Sequence, residues 1–363
     1  MFRSDLRIFA PQADDPDRRY TIYDPASDLS YYLGASELAV AQLFDGMRSA
    51  ADVSASLGVQ GIALSEEKAA TFERRLHQLG LLAVPGGRSA RLRDPATGIS
   101  YGPLKAVLSI PVMRFAPERL LDAIFEHAPR FCSRTFVYSG LAVIVAALVC
   151  VAVRFDAFAS DVAGVYMHGW QWLLWHYPVI VASIAIHELG HALACRAYKV
   201  RITDFGIAVY LLLATGWARP LQRDWSALPQ RARLVTIVMG PYASLLFVAL
   251  GVGVWNWAPH ESAAHMLGTV MAVSATAALV PTLLPIFNGD TYLAMTEYFG
   301  VPRLRQRAFN YVRCQLQQRG GGETPPPARC MLYWATALGT VAGWVMAWAW
   351  LAWGIERLVS AKQ

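Results

Sequence analysis

Long apolar runs, separated by short polar connections, dominate the chain after residue 134. A helix that crosses a bilayer needs about 20 predominantly apolar residues. Five runs reach or approach that length, at residues 135–153, 169–194, 234–257, 266–287 and 331–355. The pattern predicts a mainly α-helical, polytopic membrane protein with about five transmembrane helices.

A sixth stretch without charged residues, at positions 205–218, has only 14 residues. This length is short for a membrane-spanning helix. Non-helical backbone at membrane depth is tolerated where protein or a water-filled cavity surrounds it. We therefore expect a re-entrant or interfacial segment at these positions.

The first 110 residues follow a different pattern of short mixed segments. Two β-like runs, at residues 20–23 and 30–33, are separated by the turn-forming pair Asp24-Pro25. Three short helices and a closing strand over residues 81–84 follow. Ser65 can cap the third helix, whose predicted core face consists of Ala69, Phe72, Leu76 and Leu79. These elements predict a winged-helix-like domain over residues 1–88, a linker and juxtamembrane segment over 89–134, and a transmembrane domain over 135–357.

The composition agrees with a membrane protein that carries a soluble part. Apolar residues make up 55% of the chain, charged residues only 16%, and the mean hydropathy is +0.33. A soluble domain has about 25% charged residues. Arg and Lys cluster before the first apolar run, between the second and third, and after the fourth, whereas residues 258–265 contain neither. By the positive-inside rule, the N-terminal domain and these basic clusters are cytoplasmic. Topology, rather than nucleic-acid binding, therefore explains the net charge of +6.

The second apolar run contains the pentad His187-Glu188-Leu189-Gly190-His191. On a helix, residues i and i+4 share a face, so both imidazoles can bind one metal ion while Glu188 projects beside it. Zinc suits imidazole ligands, and a catalytic zinc site has three protein ligands and an open position. Glu188 would take a proton from the attacking water and pass it to the leaving amine. Ionisable residues inside an apolar helix are costly, which indicates function rather than packing.

A third metal ligand is expected from another helix near the same depth. Asp290 follows the fourth apolar run and is the only carboxylate between Glu261 and Glu297. The predicted topology places it on the same side of the membrane as the pentad. Asn288 is the rival ligand, although a neutral amide is a poorer ligand for zinc than a carboxylate.

The pentad and the segment around Asp290 resemble the site-2 protease family of intramembrane zinc metalloproteases. That family pairs HExxH on one transmembrane helix with an Asp at the end of a later one, and the resemblance covers about residues 105–357. The chain is most similar to the bacterial peptide zinc metalloproteases, in which a Pro stands five residues before the Asp and a Pro-x-Leu-Arg segment follows. Pro285 and the run Pro302-Arg303-Leu304-Arg305 match those features.

This resemblance selects Asp290 over Asn288. It implies that His187, His191 and Asp290 hold one Zn²⁺, that Glu188 is the catalytic residue, and that the protein lies in the bacterial inner membrane. Gly240-Pro241 in the third run also resembles a small-residue motif of the family.

Two positions depart from the family pattern. Thr291 stands at the usual Gly position, and Leu284 stands where many members have an Asn before the Pro. The first change is expected to tighten the backbone around Asp290. The second leaves open which group polarises the scissile carbonyl. Neither removes a metal ligand.

The N-terminal domain, residues 1–88, resembles the PqqD-like peptide-binding module found with ribosomal-peptide modification enzymes. The matching segments are Tyr31-Tyr32-Leu33, Leu43-Phe44-Asp45-Gly46 and Leu79-Gly80-Leu81-Leu82. The third predicted helix balances three Glu against one Lys and two Arg, so it lacks the basic face of a DNA-recognition helix. The resemblance implies β-addition of a leader peptide to an edge strand.

These observations predict an intramembrane zinc metalloendopeptidase that cleaves a peptide or membrane-associated precursor, in ribosomal-peptide maturation or export. Residues 205–218 are expected to lie beside the active site and to hold the substrate in an extended form. The expected partners are a peptide or membrane-protein substrate, the lipid bilayer, and a peptide-modifying enzyme or exporter, with no nucleic acid.

The alternative function is a non-catalytic membrane receptor or scaffold that recruits a peptide to partner enzymes or an exporter. Glu188 favours the enzyme, because a structural metal site needs no base. A metal transporter fits less well, since the apolar runs offer one ligand cluster rather than a relay of polar residues.

The remaining histidines and the cysteines carry no predicted chemistry. His260 and His265 lie in the predicted outer connection, on the opposite side of the membrane from the pentad, so no metal role is expected for them. Interfacial or packing roles are expected for His127, His168 and His176. The five cysteines show no C-x-x-C spacing, and two lie inside apolar runs, so neither a disulfide framework nor a cysteine zinc site is predicted.

Overall fold

The computed structural model describes the chain except for residues 11–18, 25–28, 60–63, 84–108, 128–130, 169, 211–212, 261, 302, 318–325 and 361–363. The chain divides into two units. One comprises Met1–Phe131 and Cys195–Ala232, and the other comprises Cys132–Ala194 and Arg233–Gln363. The predicted domain boundary at residue 88 and the turn residue Pro25 lie outside the described residues.

Helices and strands are numbered here in chain order. The helices are α1 (Ala35–Leu43), α2 (Ala50–Val59), α3 (Glu66–Gln78), α4 (Glu118–His127), α5 (Arg134–Val153), α6 (Phe155–His168), α7 (Trp170–Ala197), α8 (Gln222–Ser226), α9 (Gln230–Trp257), α10 (Ala263–Leu283), α11 (Asp290–Tyr298), α12 (Leu304–Leu316) and α13 (Pro327–Ser360). The strands are β1 (Arg7–Phe9), β2 (Tyr20–Asp24), β3 (Leu29–Leu33), β4 (Ser109–Phe115), β5 (Ile202–Tyr210) and β6 (Leu213–Pro220).

The first unit begins with an antiparallel sheet in the order β1-β2-β3, followed by α1, α2 and α3. Ile22 of β2 lies opposite Ile8 on one side and Tyr31 on the other. The two predicted strands and three predicted helices of this region are confirmed, and β1 is an addition. Leu82 forms an isolated bridge with Phe2 at the position where the sequence predicts a closing strand.

Helix α3 follows its sequence pattern closely. The Ser65 hydroxyl accepts a hydrogen bond from the backbone N–H of Lys68 and so caps the helix. Apolar residues three or four apart share one helix face. The predicted core face is confirmed. Ala69 and Leu76 are fully buried, and Phe72 and Leu79 pack against the core of this region.

A second antiparallel sheet, in the order β4-β5-β6, completes the first unit. Positions 205–218, predicted to be re-entrant or interfacial, belong to the β5–β6 hairpin, apart from residues 211–212 outside the described part. β4 comes from the segment predicted to be a linker. Its ladder with β5 pairs backbone groups that an isolated extended segment would leave unpaired. Helix α8 contacts β2 and β3, so residues 195–232 pack with the N-terminal elements.

Asp204 connects the three strands of this sheet. Its carboxylate accepts a hydrogen bond from Arg114 Nε of β4 at 3.0 Å and another from Trp217 Nε1 of β6 at 2.9 Å. Gly206 lets the Trp217 ring lie flat against β5, because a Cβ at this position would lie 2.2 Å from the ring. These contacts hold the hairpin in one register.

Five helices are long and apolar enough to cross a membrane: Arg134–Val153, Leu174–Ala197, Gln230–Trp257, Ala263–Leu283 and Pro327–Ala349. The predicted polytopic α-helical membrane protein is confirmed. Between 39% and 44% of the most apolar windows of α7, α9 and α10 is buried, against 11% for α5 and 17% for α13. The first three therefore form the interior of the second unit. The other two expose most of their apolar surface, as lipid-facing helices do.

Candidate metal centre

His187, His191 and Asp290 converge in the second unit. The two histidines lie one turn apart on α7, and Asp290 is the first residue of α11. The two Nε2 atoms of the histidines are 3.2 Å apart. The two oxygens of the Asp290 carboxylate lie 2.8 Å from His187 Nε2 and 3.3 Å from His191 Nε2. The fold thus brings together the three residues that the sequence analysis names as metal ligands.

The spacing of these atoms fits a zinc ion. Zinc binds imidazole nitrogen and carboxylate oxygen at about 2.0–2.2 Å, so tetrahedral ligand atoms lie about 3.3 Å from one another. The Asp290 Oδ2 atom is buried and has no hydrogen-bond partner among the described residues, although His187 Nε2 is close. A buried carboxylate oxygen without a partner is costly, and a cation between the three groups would satisfy it.

Helix α9 orients both imidazoles. His191 Nδ1 lies 2.9 Å from the Thr236 carbonyl oxygen, and His187 Nδ1 lies 2.9 Å from Ser244 Oγ. A carbonyl can only accept, so His191 Nδ1 carries the proton and its Nε2 keeps a free lone pair. Such contacts from the far ring nitrogen are the usual support of metal-binding histidines.

The same face of α9 carries Gly240, between these two residues at i+4 spacing. A Cβ at Gly240 would lie 2.2 Å from His191 Nε2. On α7, a Cβ at Gly190 would lie 2.4 Å from the Met239 carbonyl oxygen. The absence of side chains at both positions allows the two helices to approach closely enough for α9 to reach the imidazoles.

The turn before Asp290 is held by Arg305. Its guanidinium donates hydrogen bonds to the carbonyl oxygens of Pro285 at 2.6 Å and Phe287 at 2.9 Å, and to Asn288 Oδ1 at 3.0 Å. The same group stacks on the Tyr292 ring at 4.5 Å. Asn288, the rival ligand, is thereby bound to Arg305. From the sequence, Arg305 was only a member of the resembling segment. Its role was missed because two of its hydrogen-bond acceptors are backbone carbonyls, which composition cannot reveal.

Glu188 lies next to His187 on α7 and is half-buried. Its place in the helix is the one that the pentad predicts. The pentad is carried by α7, its supporting groups by α9, and Asp290 by the start of α11. Two imidazoles and two carboxylates, with no Lys or Arg among these four residues, suit a divalent cation and a proton acceptor.

One protein family has a model that matches part of the chain. Residues 177–311 match the family model described as Peptidase family M50. This match includes the HExxH pentad and Asp290, and it supports the site-2 protease family, whose members are in general zinc metalloproteases. No curated protein and no solved structure matches the chain.

Proposed function

We propose that this chain is an intramembrane zinc metallopeptidase that cleaves a peptide or membrane-associated precursor. The observation that carries the proposal is the convergence of His187, His191 and Asp290 beside Glu188, with the pentad on α7, an interior helix of the second unit. The match of residues 177–311 to a peptidase family supports the same class of reaction.

In this proposal, His187, His191 and Asp290 hold the ion. Bound there, Zn²⁺ would polarise the scissile carbonyl and make a water more acidic. The Glu188 carboxylate takes the proton of the attacking water as the oxygen bonds to the carbonyl carbon. It then delivers this proton to the amine nitrogen as the C–N bond breaks. Thr236 and Ser244 keep the two imidazoles in the orientation that turns their Nε2 atoms toward Asp290.

In the proposal, the β5–β6 hairpin binds the substrate in an extended conformation. A peptide bond in a helix is shielded, so a substrate must be held extended before attack. β6 is an edge strand of its sheet within the described chain, and an edge strand can pair with an added peptide strand. We assign this role to β6, with the peptide joining the sheet through backbone hydrogen bonds.

The N-terminal part of the first unit is proposed to recruit a leader peptide for a peptide-modifying enzyme or exporter. Its three-stranded sheet has β1 and β3 at its edges, which suits the same kind of β-addition. In the proposal, this unit lies in the cytoplasm of a bacterial cell, and the clusters of Arg and Lys support its cytoplasmic side.

The decisive test compares Glu188→Gln with the wild type. The precursor to use is a peptide that is shortened only in cells carrying the wild-type chain. Glu188→Gln keeps the shape of the side chain but cannot accept a proton, so we expect unchanged zinc content and cleavage at least 100-fold slower, the size of a typical general-base contribution of about 10²–10⁴. Glu126→Gln, at an exposed position on α4, is the matched control. Equal cleavage by Glu188→Gln and the wild type would favour the non-catalytic receptor or scaffold.

A further inference from the structure

A second cluster of two histidines and one aspartate lies elsewhere in the second unit. Asp161 is on α6, His260 is in the connection between α9 and α10, and His265 is in the first turn of α10. His265 Nε2 lies 2.9 Å from Asp161 Oδ2, and His260 Nε2 lies 3.7 Å from Asp161 Oδ1. The centres of the two imidazole rings are 4.9 Å apart.

This cluster is separate from the candidate metal centre. Trp255, near the end of α9, donates a hydrogen bond from Nε1 to Asp161 Oδ2 at 2.8 Å. Gly240, which adjoins His191, lies about 15 residues earlier on the same helix. At a rise of about 1.5 Å per residue, Trp255 and Gly240 are about 22 Å apart along α9. One ion cannot serve both.

We infer that Asp161, His260 and His265 form a second binding site for a divalent metal ion, of which Zn²⁺ fits the ligands best. Two imidazoles and a carboxylate are a zinc ligand set, and the atom separations of 2.9 and 3.7 Å lie on either side of the about 3.3 Å expected for tetrahedral ligands. As with Asp290, each oxygen of the carboxylate faces a different histidine.

Two of the three ligands are held in place before any ion binds. His265 is 3% exposed, and Asp161 accepts the hydrogen bond from the fully buried Trp255. Arg154 lies over the Trp255 ring at 4.9 Å and donates a hydrogen bond to Asn256 Oδ1. This packing fixes the carboxylate, as the outer-shell partners of metal ligands commonly do.

The third ligand is exposed to solvent. The His260 side chain is 69% exposed and lies in the connection between two helices. A small rotation would bring its Nε2 atom to coordinating distance, while the exposed side leaves a path for the ion and a position for water. The ion would tie α6 to the α9–α10 connection and stabilise that end of the unit. No metal role was predicted for these histidines, because they lie in the outer connection, on the opposite side of the membrane from the pentad. Asp161, about a hundred positions away from both in the sequence, supplies the partner.

Zinc binding to the full-length protein in detergent tests this site. The chelator-stripped protein is titrated with Zn²⁺ alone, and bound zinc per chain is measured for His191→Ala, His260→Ala and the double variant. Because His260 is exposed, its replacement leaves the fold intact. We expect His191→Ala to retain about one zinc and the double variant to bind at least tenfold more weakly. His127→Ala, at an exposed position on α4, serves as the control for the loss of a surface histidine.

A second measurement covers the possibility that His191→Ala does not fold. Zn²⁺ should raise the thermal unfolding midpoint of His191→Ala but not that of the double variant, since an ion that binds only the folded state stabilises it. If His191→Ala is not folded, the wild type is compared with His260→Ala, and the loss of one zinc per chain is expected. Equal zinc binding with and without His260 would overturn the inference, and Asp161 and His265 would then be a hydrogen-bonded pair without an ion.

Discussion

Side chains of the candidate metal centre are supported by neutral groups. Thr236 offers a backbone carbonyl and Ser244 a hydroxyl, each at 2.9 Å from an imidazole. Thr236 and Ser244 are 2% and 1% exposed. A charged partner at such a place would carry a large desolvation cost. Neutral groups orient the histidines without that cost, and Gly240 between them leaves room for the His191 ring.

Gly240→Ala should abolish metal binding at this centre. The added Cβ would lie 2.2 Å from His191 Nε2, so the imidazole must move away from Asp290. We expect the zinc affinity of the candidate metal centre to fall at least tenfold, with little change in helix content. Equilibrium dialysis against Zn²⁺ measures the effect. The matched control is Gly339→Ala on α13, where nothing lies within 4 Å of the new methyl group. Wild-type affinity in Gly240→Ala would contradict the proposed ligand arrangement.

The turn between α10 and α11 determines the position of Asp290. Asp290 begins α11 only because the chain turns sharply after α10, and Arg305 of α12 holds that turn through two carbonyl oxygens and one amide. Arginine suits this role because its planar guanidinium presents several donors in a rigid arrangement. The position of a metal ligand therefore depends on a side chain from another helix.

Arg305→Ala should loosen the turn that carries Asp290. The change removes three hydrogen bonds and the contact with Tyr292, so the Pro285 and Phe287 carbonyls lose the donor that holds the turn. We expect zinc affinity about 10- to 100-fold weaker, the range found for outer-shell partners of metal ligands, and Arg305→Lys should recover only part of it. Zinc titration in detergent provides the measurement, and Arg307→Ala, exposed on the same helix, is the control. Unchanged zinc affinity in Arg305→Ala would show that the turn keeps its conformation without Arg305.

Proline substitutions along β6 test the proposed substrate strand. In a strand, successive backbone N–H groups point to opposite edges, so prolines at adjacent positions remove either the pairing with β5 or a donor at the free edge. Prolines at Thr215 and Gly216 form such a pair. We expect one to disrupt the hairpin, seen as faster proteolysis, and the other to raise the KM for the precursor with kcat nearly unchanged. Normal KM for every folded proline variant would remove the role of β6.

The whole molecule combines an apolar, membrane-spanning part with a unit that is stabilised by buried charge. Arg3 is 7% exposed, and Asp24, its partner at 2.7 Å, is 1% exposed. Arg3 also donates to the Gly80 carbonyl oxygen at 2.9 Å. The start of the chain is thereby joined to the end of β2 and to the segment after α3. The Arg3 side chain therefore links three segments of the N-terminal part of the first unit.

Arg3→Met should destabilise the N-terminal part of the first unit. It leaves the Asp24 carboxylate buried without its cation, a change that costs about 3–5 kcal/mol. Hydrogen exchange on the full-length protein should show faster exchange in β2 and α3, with the spanning helices unaffected. Arg7→Met, exposed on β1, is the control. Equal exchange in Arg3→Met and the wild type would mean that the ion pair contributes nothing net.

A second carboxylate on Arg3 predicts a pH dependence, because Asp5 Oδ2 lies 2.6 Å from Arg3 Nη2. Hydrogen bonds from Arg3 hold the pKa of Asp5 below its ordinary value. A carboxyl group with a lowered folded-state pKa stabilises the fold above its unfolded pKa, and this contribution is lost as the pH falls through the folded value. We therefore expect the difference in exchange between the wild type and Arg3→Met to be full at neutral pH and to shrink below about pH 4, near the ordinary aspartate pKa.

The five apolar helices and the HExxH pentad were predictable from the sequence. Hydropathy and the i, i+4 spacing of His187 and His191 are local properties, and a helix turns them directly into geometry. The core face of α3 followed for the same reason. Each of these features depends on residues that are close together in the sequence, so the sequence alone was sufficient to predict it.

Tertiary structure decided the contacts between residues distant in the sequence. β4 lies in a segment that reads as a linker, and it became a strand only because β5 supplied its hydrogen-bonding partners. Asp290 meets the two histidines, whereas Asn288 is bound to Arg305, although the two residues are neighbours in the same turn. Asp161 and His265 are joined across about a hundred positions. Such contacts arise from packing and the pairing of buried polar groups, which local patterns do not contain.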